Sequence, residues 1–325
     1  MLTPNQPNQS SKQTPAPKRL CVWVFHDARP GHLSQLEGLA KRLTCHTLCD
    51  IRWFDVNQTK LNFQHLLFVP KFLRKHTKPD LIIGAGHSTH LSVMIAGFRF
   101  KAFTSIIMKP SLPLRFFNAV ICPKHDGLTD SPHVFTTFGP INNVDRSNLI
   151  KPSEKSLNLI VLGGVSKHFH FDEHQILAQI KITCSSDPST QWIVCNSART
   201  PQSTNKALTE LSFPNLTFYH YQSNKMSPLQ EMLLHTRYTL MTPDSMSMIF
   251  EALSAGSKVE LIQCKPKNNN RIVKQIEQLI EEGFVINSKN NTNIKPEIKN
   301  IPWEADRAAI WLLQSIKKYM INESK

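Results

Sequence analysis

No apolar run in the 325-residue chain approaches the ~20 residues needed to span a membrane. Residues 1–17 lack the apolar stretch of a secretory signal and the Arg-rich amphipathic character of an organelle presequence. They are polar and rich in Pro, Gln and Ser, and are expected to form a disordered tail on a cytoplasmic protein. The seven cysteines (Cys21, Cys45, Cys49, Cys122, Cys184, Cys195 and Cys264) are scattered, odd in number and never spaced CxxC. That argues against a zinc site or a disulfide framework and for a reducing compartment. There is no GxxxxGK[ST] phosphate loop and no clear DxD pair. No Lys/Arg block is interleaved with aromatics, so nucleic acid is not an expected partner. Acidic residues are scarce, 24 against 38 Lys and Arg, for a formal charge of +14. This favours an anionic partner: a nucleotide, a phosphorylated glycolipid or an anionic membrane surface. A generally basic proteome is the simpler account of the same excess.

What is present reads as α/β, in two halves. Arg19 to His26 is a buried strand, Leu33 to Leu43 a helix with apolar residues at helical spacing, and Ile51 to Val56 a second strand. This β–loop–α–β opening predicts a parallel sheet. The intervening loop carries Asp27, Arg29, Gly31 and His32, followed by Gln35 in the helix. Ligands of open α/β sheets bind at the carboxyl edge of the strands, where this loop lies. Asp80 to Gly86 is a strand running into Gly84-Ala-Gly86 and His87, and a helix follows. Later strands end at Lys109 and at Pro123-Lys-His125-Asp126, so several successive strands end in ionisable loops. Each loop alone also fits a polar surface turn. Lys60 to His76, interrupted by Pro70, reads as one or two helices. Its Leu66 to Leu73 apolar residues with Lys71, Arg74 and Lys75 suit a lipid headgroup region, or else a core-facing helix with a solvated face. Asn142 to Glu154 is polar and reads as an interdomain linker.

The second half restarts the pattern. Leu157 to Leu162 is a strand entering Gly163-Gly164, with Ser166 and Lys167 beyond; backbone N–H groups, hydroxyl and ammonium there could cradle a diphosphate. Gln191 to Cys195 ends in Ser197, Arg199 and Thr200. Tyr238 to Met241 ends at Thr242-Pro-Asp244-Ser245-Met-Ser247-Met248, where a helix starts that Gly256 stops. A helix N-terminus at a strand's carboxyl end is a physical anion site. Glu251, two turns on, could take hydrogen bonds from ribose hydroxyls. Plain capping by Asp244, Ser245 and Ser247 is the alternative. The expected organisation is a tail (1–17), an N-terminal Rossmann-like domain (18–150), a C-terminal one (151–305), and a terminal helix (306–325) crossing back to the first.

Several ordered motifs carry a resemblance: Asp27-Ala-Arg-Pro-Gly-His-Leu-Ser-Gln35, Asp80-Leu-Ile-Ile-Gly-Ala-Gly86, Pro123-Lys-His-Asp126, Leu162-Gly-Gly164 with Ser166-Lys167, Ser197-Ala-Arg-Thr-Pro201, and Thr242-Pro-Asp-Ser-Met-Ser-Met248 with Glu251. Over about residues 20–305 the chain resembles the family of the plant mitochondrial fission factor and its bacterial homologues, on a glycosyltransferase-B-like architecture of two Rossmann-like domains facing a cleft. It departs from the family at Ala198, where a second Arg is expected.

With the short polar tail in place of an Arg-rich presequence, the chain is expected to be a bacterial, cytoplasmic member, with peripheral contact at the inner membrane as a further expectation. The resemblance implies that it would bind a nucleoside-diphosphate sugar without metal or further cofactor and transfer the sugar to an unknown acceptor, for example an envelope glycolipid. His32 or Asp27 would act as base. Gly163, Gly164, Ser166, Lys167, Ser197, Arg199, Thr200, Asp244, Ser245, Ser247, Met248 and Glu251 would form the donor side. Arg29, Gly31, Gln35, Gly84, Gly86, His87, Lys109, His125 and Asp126 would line the acceptor side. A non-catalytic adaptor, as in the plant relative, and a nucleotide-sugar epimerase are the competing expectations.

Overall fold

The structure, a computed structural model, describes residues 19–59, 61–223, 229–287 and 300–323; the tail expected at 1–17 lies outside them. Along the chain run β1 (Leu20–His26), α1 (Pro30–His46), β2 (Cys49–Asp55), α2 (Lys71–Arg74), β3 (Leu81–Ala85), α3 (His90–Phe100), β4 (Phe103–Ile107), β5 (Ala119–Pro123) and β6 (Val134–Thr137). There follow β7 (Leu157–Val161), α4 (Glu173–Ser186), β8 (Trp192–Cys195), α5 (Gln202–Glu210), β9 (Leu216–Tyr219), α6 (Leu229–Leu234) and β10 (Thr236–Met241). The chain continues through α7 (Met246–Ser254), β11 (Lys258–Leu261), α8 (Arg271–Glu281), β12 (Val285–Asn287) and α9 (Glu304–Glu323).

These strands form two six-stranded sheets, ordered β2-β1-β3-β4-β5-β6 and β12-β11-β10-β7-β8-β9. Every pairing within them is parallel. Parallel sheets need cover on both faces, and β1 shows how the sequence provides it. Val22 and Val24 pack with Leu36, Leu39 and Leu43 of α1, while Cys21, Trp23 and Phe25 pack on the α3 side with Val93 and Ala96. In the second domain Leu159 and Val161 of β7 face α7, and Ile160 faces α4.

The expected elements are found with shifted ends. β9 and β12 are short edge strands, and α5 buries only Thr204 and Leu208, so neither an apolar run nor a periodicity marks them. The segment read as helix around Pro70 is broken further than expected. Asn62 and His65 close a capping box on a one-turn 3₁₀ helix at Phe63–Leu66, and Pro70 starts the four-residue α2. Lys60, where that reading began, lies outside the described residues.

Two features join the halves. The segment read as a polar linker is partly buried: Asn142 Nδ2 donates to Phe250 O at 3.3 Å and Ser254 Oγ at 3.0 Å on α7. The last helix, α9, lies on the first domain. Ala305, Ala308, Ala309, Leu312 and Ile316, at helical spacing, pack against α1. Arg42 of α1 donates to Asp306 at 2.7 Å and stacks over Trp303 at 4.1 Å. Leu312 is fully buried, so Leu312→Ala should destabilise the protein by about 2–5 kcal/mol in urea titration. A loss below about 1 kcal/mol would show that α9 is not part of this core.

Candidate active site

Both strand orders contain a reversal, and both reversals lie at the same seam. In the first sheet, β1 leads to α1 and the adjacent β3 to α3, on opposite faces. In the second, β7 leads to α4 and the adjacent β10 to α7, again on opposite faces. The connections therefore diverge at the carboxyl ends of β1/β3 and of β7/β10, which opens a crevice at each. The Asp27 loop and Gly86 flank one crevice; Gly163-Gly164 and Thr242-to-Ser245 flank the other.

In the first crevice Asp27 is buried and holds His32. His32 Nδ1 lies 2.8 Å from Asp27 Oδ1, and Ser88 Oγ donates to Oδ2 at 2.8 Å. Burial alone would raise the Asp27 pKa, but hydrogen bonds from His32 and Ser88 outweigh it and keep the pKa lowered. An ionised Asp27 selects the His32 tautomer with its proton on Nδ1, leaving Nε2 as an acceptor. Gly86, at φ +85°, lies against the His32 ring; a Cβ there would collide with it. Arg29 is exposed, with its guanidinium 3.6 Å from Asp27.

In the second crevice the Gly-Gly turn is tied down internally. Gly163 N–H donates to Thr242 Oγ1 at 2.8 Å and Gly164 N–H to Asp244 Oδ2 at 3.1 Å. Neither amide is thus a free phosphate donor in this state, contrary to the sequence expectation. Nor does Asp244 cap α7, since its carboxylate turns back to Gly164 and to Arg199 NH1, 2.8 Å away. The glycines are needed for this approach: a Cβ at Gly163 would strike Asp244, and one at Gly164 the Arg199 carbonyl. Ser197 Oγ donates to Gly163 O at 2.6 Å, and Thr200 Oγ1 donates to the same carbonyl. Ser166 Oγ accepts from the His168 and Phe169 amides and braces a turn, and Lys167 is exposed.

Two helix N-termini meet across the seam. The N-caps of α1 (Arg29) and α7 (Ser245) make no side-chain capping bond, and Pro30 opens α1. A Cβ at Gly31 would stand 3.5 Å from Ser247 Oγ, so the first turns nearly touch. In α1 Pro30 has no N–H and the His32 and Leu33 amides donate to Arg29 O at 3.0 and 2.9 Å, so Gly31 carries the orphan amide; in α7 the orphans are Met246, Ser247 and Met248, ahead of Ile249 N–H, which donates to Ser245 O. Each terminus also carries roughly half a positive charge. At the far end of α7 the buried Lys155 ammonium donates to Ala255 O, with its pKa lowered by burial to about 8.

Glu251 sits at the seam, 4% exposed, with both oxygens engaged. Ser34 Oγ donates to Oε1 at 2.9 Å from the first domain and Gln230 Nε2 to Oε2 at 3.3 Å from the second. Burial pushes its pKa up, and these two hydrogen bonds partly offset the rise.

The remaining expected residues are dispersed. Gln35 is buried, donating to Gly31 O, and Gly84 packs against Thr89 and Val93 of the strand–helix turn. His87 and Lys109 are exposed. Met248 is half-buried against the α7 core. Asp126 spans the domains, accepting from Arg271 NH1 at 2.6 Å, with His125 Nε2 3.7 Å away. Ser34, Asn142, Gln230 and Arg271 were not singled out in sequence; nothing local marks a polar residue whose partner is over a hundred positions away, as for Ser34, Asn142 and Arg271, or on another element, as for Gln230. Among the described residues no three His, Cys, Asp or Glu side chains cluster to hold a metal ion.

Comparison with known proteins agrees with this architecture. The uncharacterised protein RP120 of Rickettsia prowazekii (strain Madrid E) is 25% identical over 326 residues, covering 80% of this chain and 88% of its own. The UDP-GlcNAc 2-epimerase of Neisseria meningitidis, solved with UDP-GlcNAc, superposes with a TM-score of 0.54 at 14% identity, over 92% of this chain and 100% of its own. The glycosyltransferase SnogD of Streptomyces nogalater gives 0.50 at 10% identity, over 92% and 96%. At such identities the likeness is one of fold, the two-domain glycosyltransferase-B arrangement. The model of the family described as Mitochondrial fission ELM1 matches residues 30–316, most of the length, and the chain belongs to that family.

Proposed function

We propose that the cleft binds a nucleoside-diphosphate sugar and that the protein transfers the sugar to a hydroxyl acceptor. The observation that carries this reading is the convergence of the uncapped N-termini of α1 and α7 at the two strand-order reversals. A diphosphate placed there would take orphan N–H groups from both domains. Arg199 would supply countercharge, exchanging part of its contact with Asp244 for the phosphate. That the Neisseria relative in fold was solved with UDP-GlcNAc supports the ligand class.

Asp27 and His32 then have a role. His32 Nε2 would take the acceptor's hydroxyl proton as its oxygen attacks the anomeric carbon, while Asp27 stabilises the imidazolium. The bond from that carbon to the diphosphate breaks, and the departing oxygen's charge develops at the helix N-termini and Arg199. Glu251 would take the ribose. The hydroxyl and amide now donating to its two oxygens, from Ser34 and Gln230, occupy the places that two ribose hydroxyls would fill.

Calorimetric titration with UDP-, GDP-, ADP- and CMP-sugars should yield one saturable ligand class, and product analysis should find transfer. Epimerised free sugar or nucleotide-sugar would favour epimerisation; no binding at all would favour an adaptor. His32→Ala and Asp27→Asn should lower turnover by roughly 10²–10⁴-fold while leaving donor affinity within about threefold by the same calorimetry; equal losses in both would remove the pair from the chemistry.

Glu251→Gln should weaken nucleotide binding roughly tenfold, about 1.4 kcal/mol. It should also change the pH dependence of stability. With a raised folded pKa, Glu251 holds its proton more tightly folded than unfolded. Wild-type stability should therefore fall as pH rises from about 4.3, the ordinary carboxyl value, through the folded pKa, and the Gln variant should lack that slope. Parallel slopes in urea titrations across this range would contradict the buried-carboxylate account.

A further inference from the structure

The α3 side of the first domain carries a surface that the cleft does not use. Between Val56 and His125 the chain has ten Lys or Arg and one carboxylate, Asp80, and Asp80 accepts the Cys21 amide at 2.9 Å. On this side Phe63, Leu67, Phe68 and Phe98 are 64%, 76%, 68% and 75% exposed. Local structure keeps them out. Leu61 and Leu73 sink into the core, the Asn62–His65 box fixes the 3₁₀ turn, and Pro70 restarts the chain as α2, so Leu67 and Phe68 project between. They border a groove of about 390 Å³ whose rim includes Arg74, Lys78 and Arg99. Phe98 precedes Arg99 on α3. Large apolar side chains grouped in this way and ringed by cations mark a contact surface.

We propose that this face docks on an anionic lipid bilayer. Leu67, Phe68 and their neighbours enter the headgroup–acyl boundary, while Lys71, Arg74, Lys78 and Arg99 meet headgroup phosphates. Charge selects this occupant. A second copy would bring the same positive face, which repels itself, and residues 1–18 contain two lysines and no acid, hence no complementary charge. The bilayer supplies both the apolar layer and the anions. Leu61 N–H donates to Ser92 Oγ near the start of α3, so the surface begins beside the cleft edge of the sheet. The inference stands independently of the nucleotide reading.

The test is flotation of the full chain with vesicles of phosphatidylcholine alone and of phosphatidylcholine with phosphatidylglycerol. The protein should float with the anionic vesicles and not with the neutral ones. Leu67→Ser with Phe68→Ser should lower partitioning at least tenfold with an unchanged melting temperature, because both side chains are already in water. Lys71→Gln with Lys78→Gln should lower it several-fold at low salt, and raised salt should erase that difference, since screening shortens the reach of charge to ~8 Å near physiological ionic strength. Equal flotation with neutral vesicles, flotation of both variants like the wild type, or loss of a wild-type dimer in sedimentation velocity on Leu67→Ser with Phe68→Ser would each overturn the proposal.

Discussion

A carboxylate buried between two domains has few ways to be tolerated, and the arrangement around Glu251 uses one of them. Desolvating such a group costs several kcal/mol unless donors replace water. Here one donor comes from each domain, Ser34 and Gln230. The Ser34 hydroxyl has a single proton and two acceptors within reach, Glu251 Oε1 at 2.9 Å and Asn143 Oδ1 at 3.1 Å. The acceptor at the shorter distance takes it. With Asn142 fixed to Phe250 and Ser254, one turn apart on α7, and the adjacent Asn143 amide donating to Ser34 Oγ at 3.4 Å, α1 and α7 are held in one register.

That register makes the cleft chemically uneven. Both crevices open toward it, and both helices entering it present positive ends. The acids nearby are already engaged, Asp27 with His32 and Ser88, and Asp244 with Gly164 and Arg199. Across the mouth, Asp126 and Arg271 form a second interdomain tie, with the Arg271 side chain largely exposed. One tie is deep and uncharged on its donor side; the other is partly in solvent, where an ion pair contributes little to stability. Opening of the domains is therefore resisted mainly at the Glu251 end.

Much of this was legible in sequence, for identifiable reasons. Apolar runs ending in Gly or ionisable loops located the central strands, because buried parallel strands have no polar face to confuse the pattern. The Asp27–His32 loop and the stretch around Asp244 were placed at strand ends correctly. Edge strands β9 and β12 escaped because they are short, and α5 because it buries so little. The roles of Gly163 and Gly164 were misjudged as free donors. Their amides are taken by Thr242 and Asp244, side chains about eighty positions away. Spacing shows which residues reach one sheet edge, not which way a short carboxylate turns once there.

The central claim is that one anionic ligand bridges both domains at the two helix N-termini. Hydrogen–deuterium exchange with and without the tightest-binding nucleotide-sugar tests it directly, because orphan amides in the first turns exchange readily until something accepts from them. The account predicts slowed exchange at Gly31 of the first domain together with Met246, Ser247 and Met248 of the second, the first-turn amides with no carbonyl partner. Protection confined to one domain, or lying outside both first turns, would contradict it.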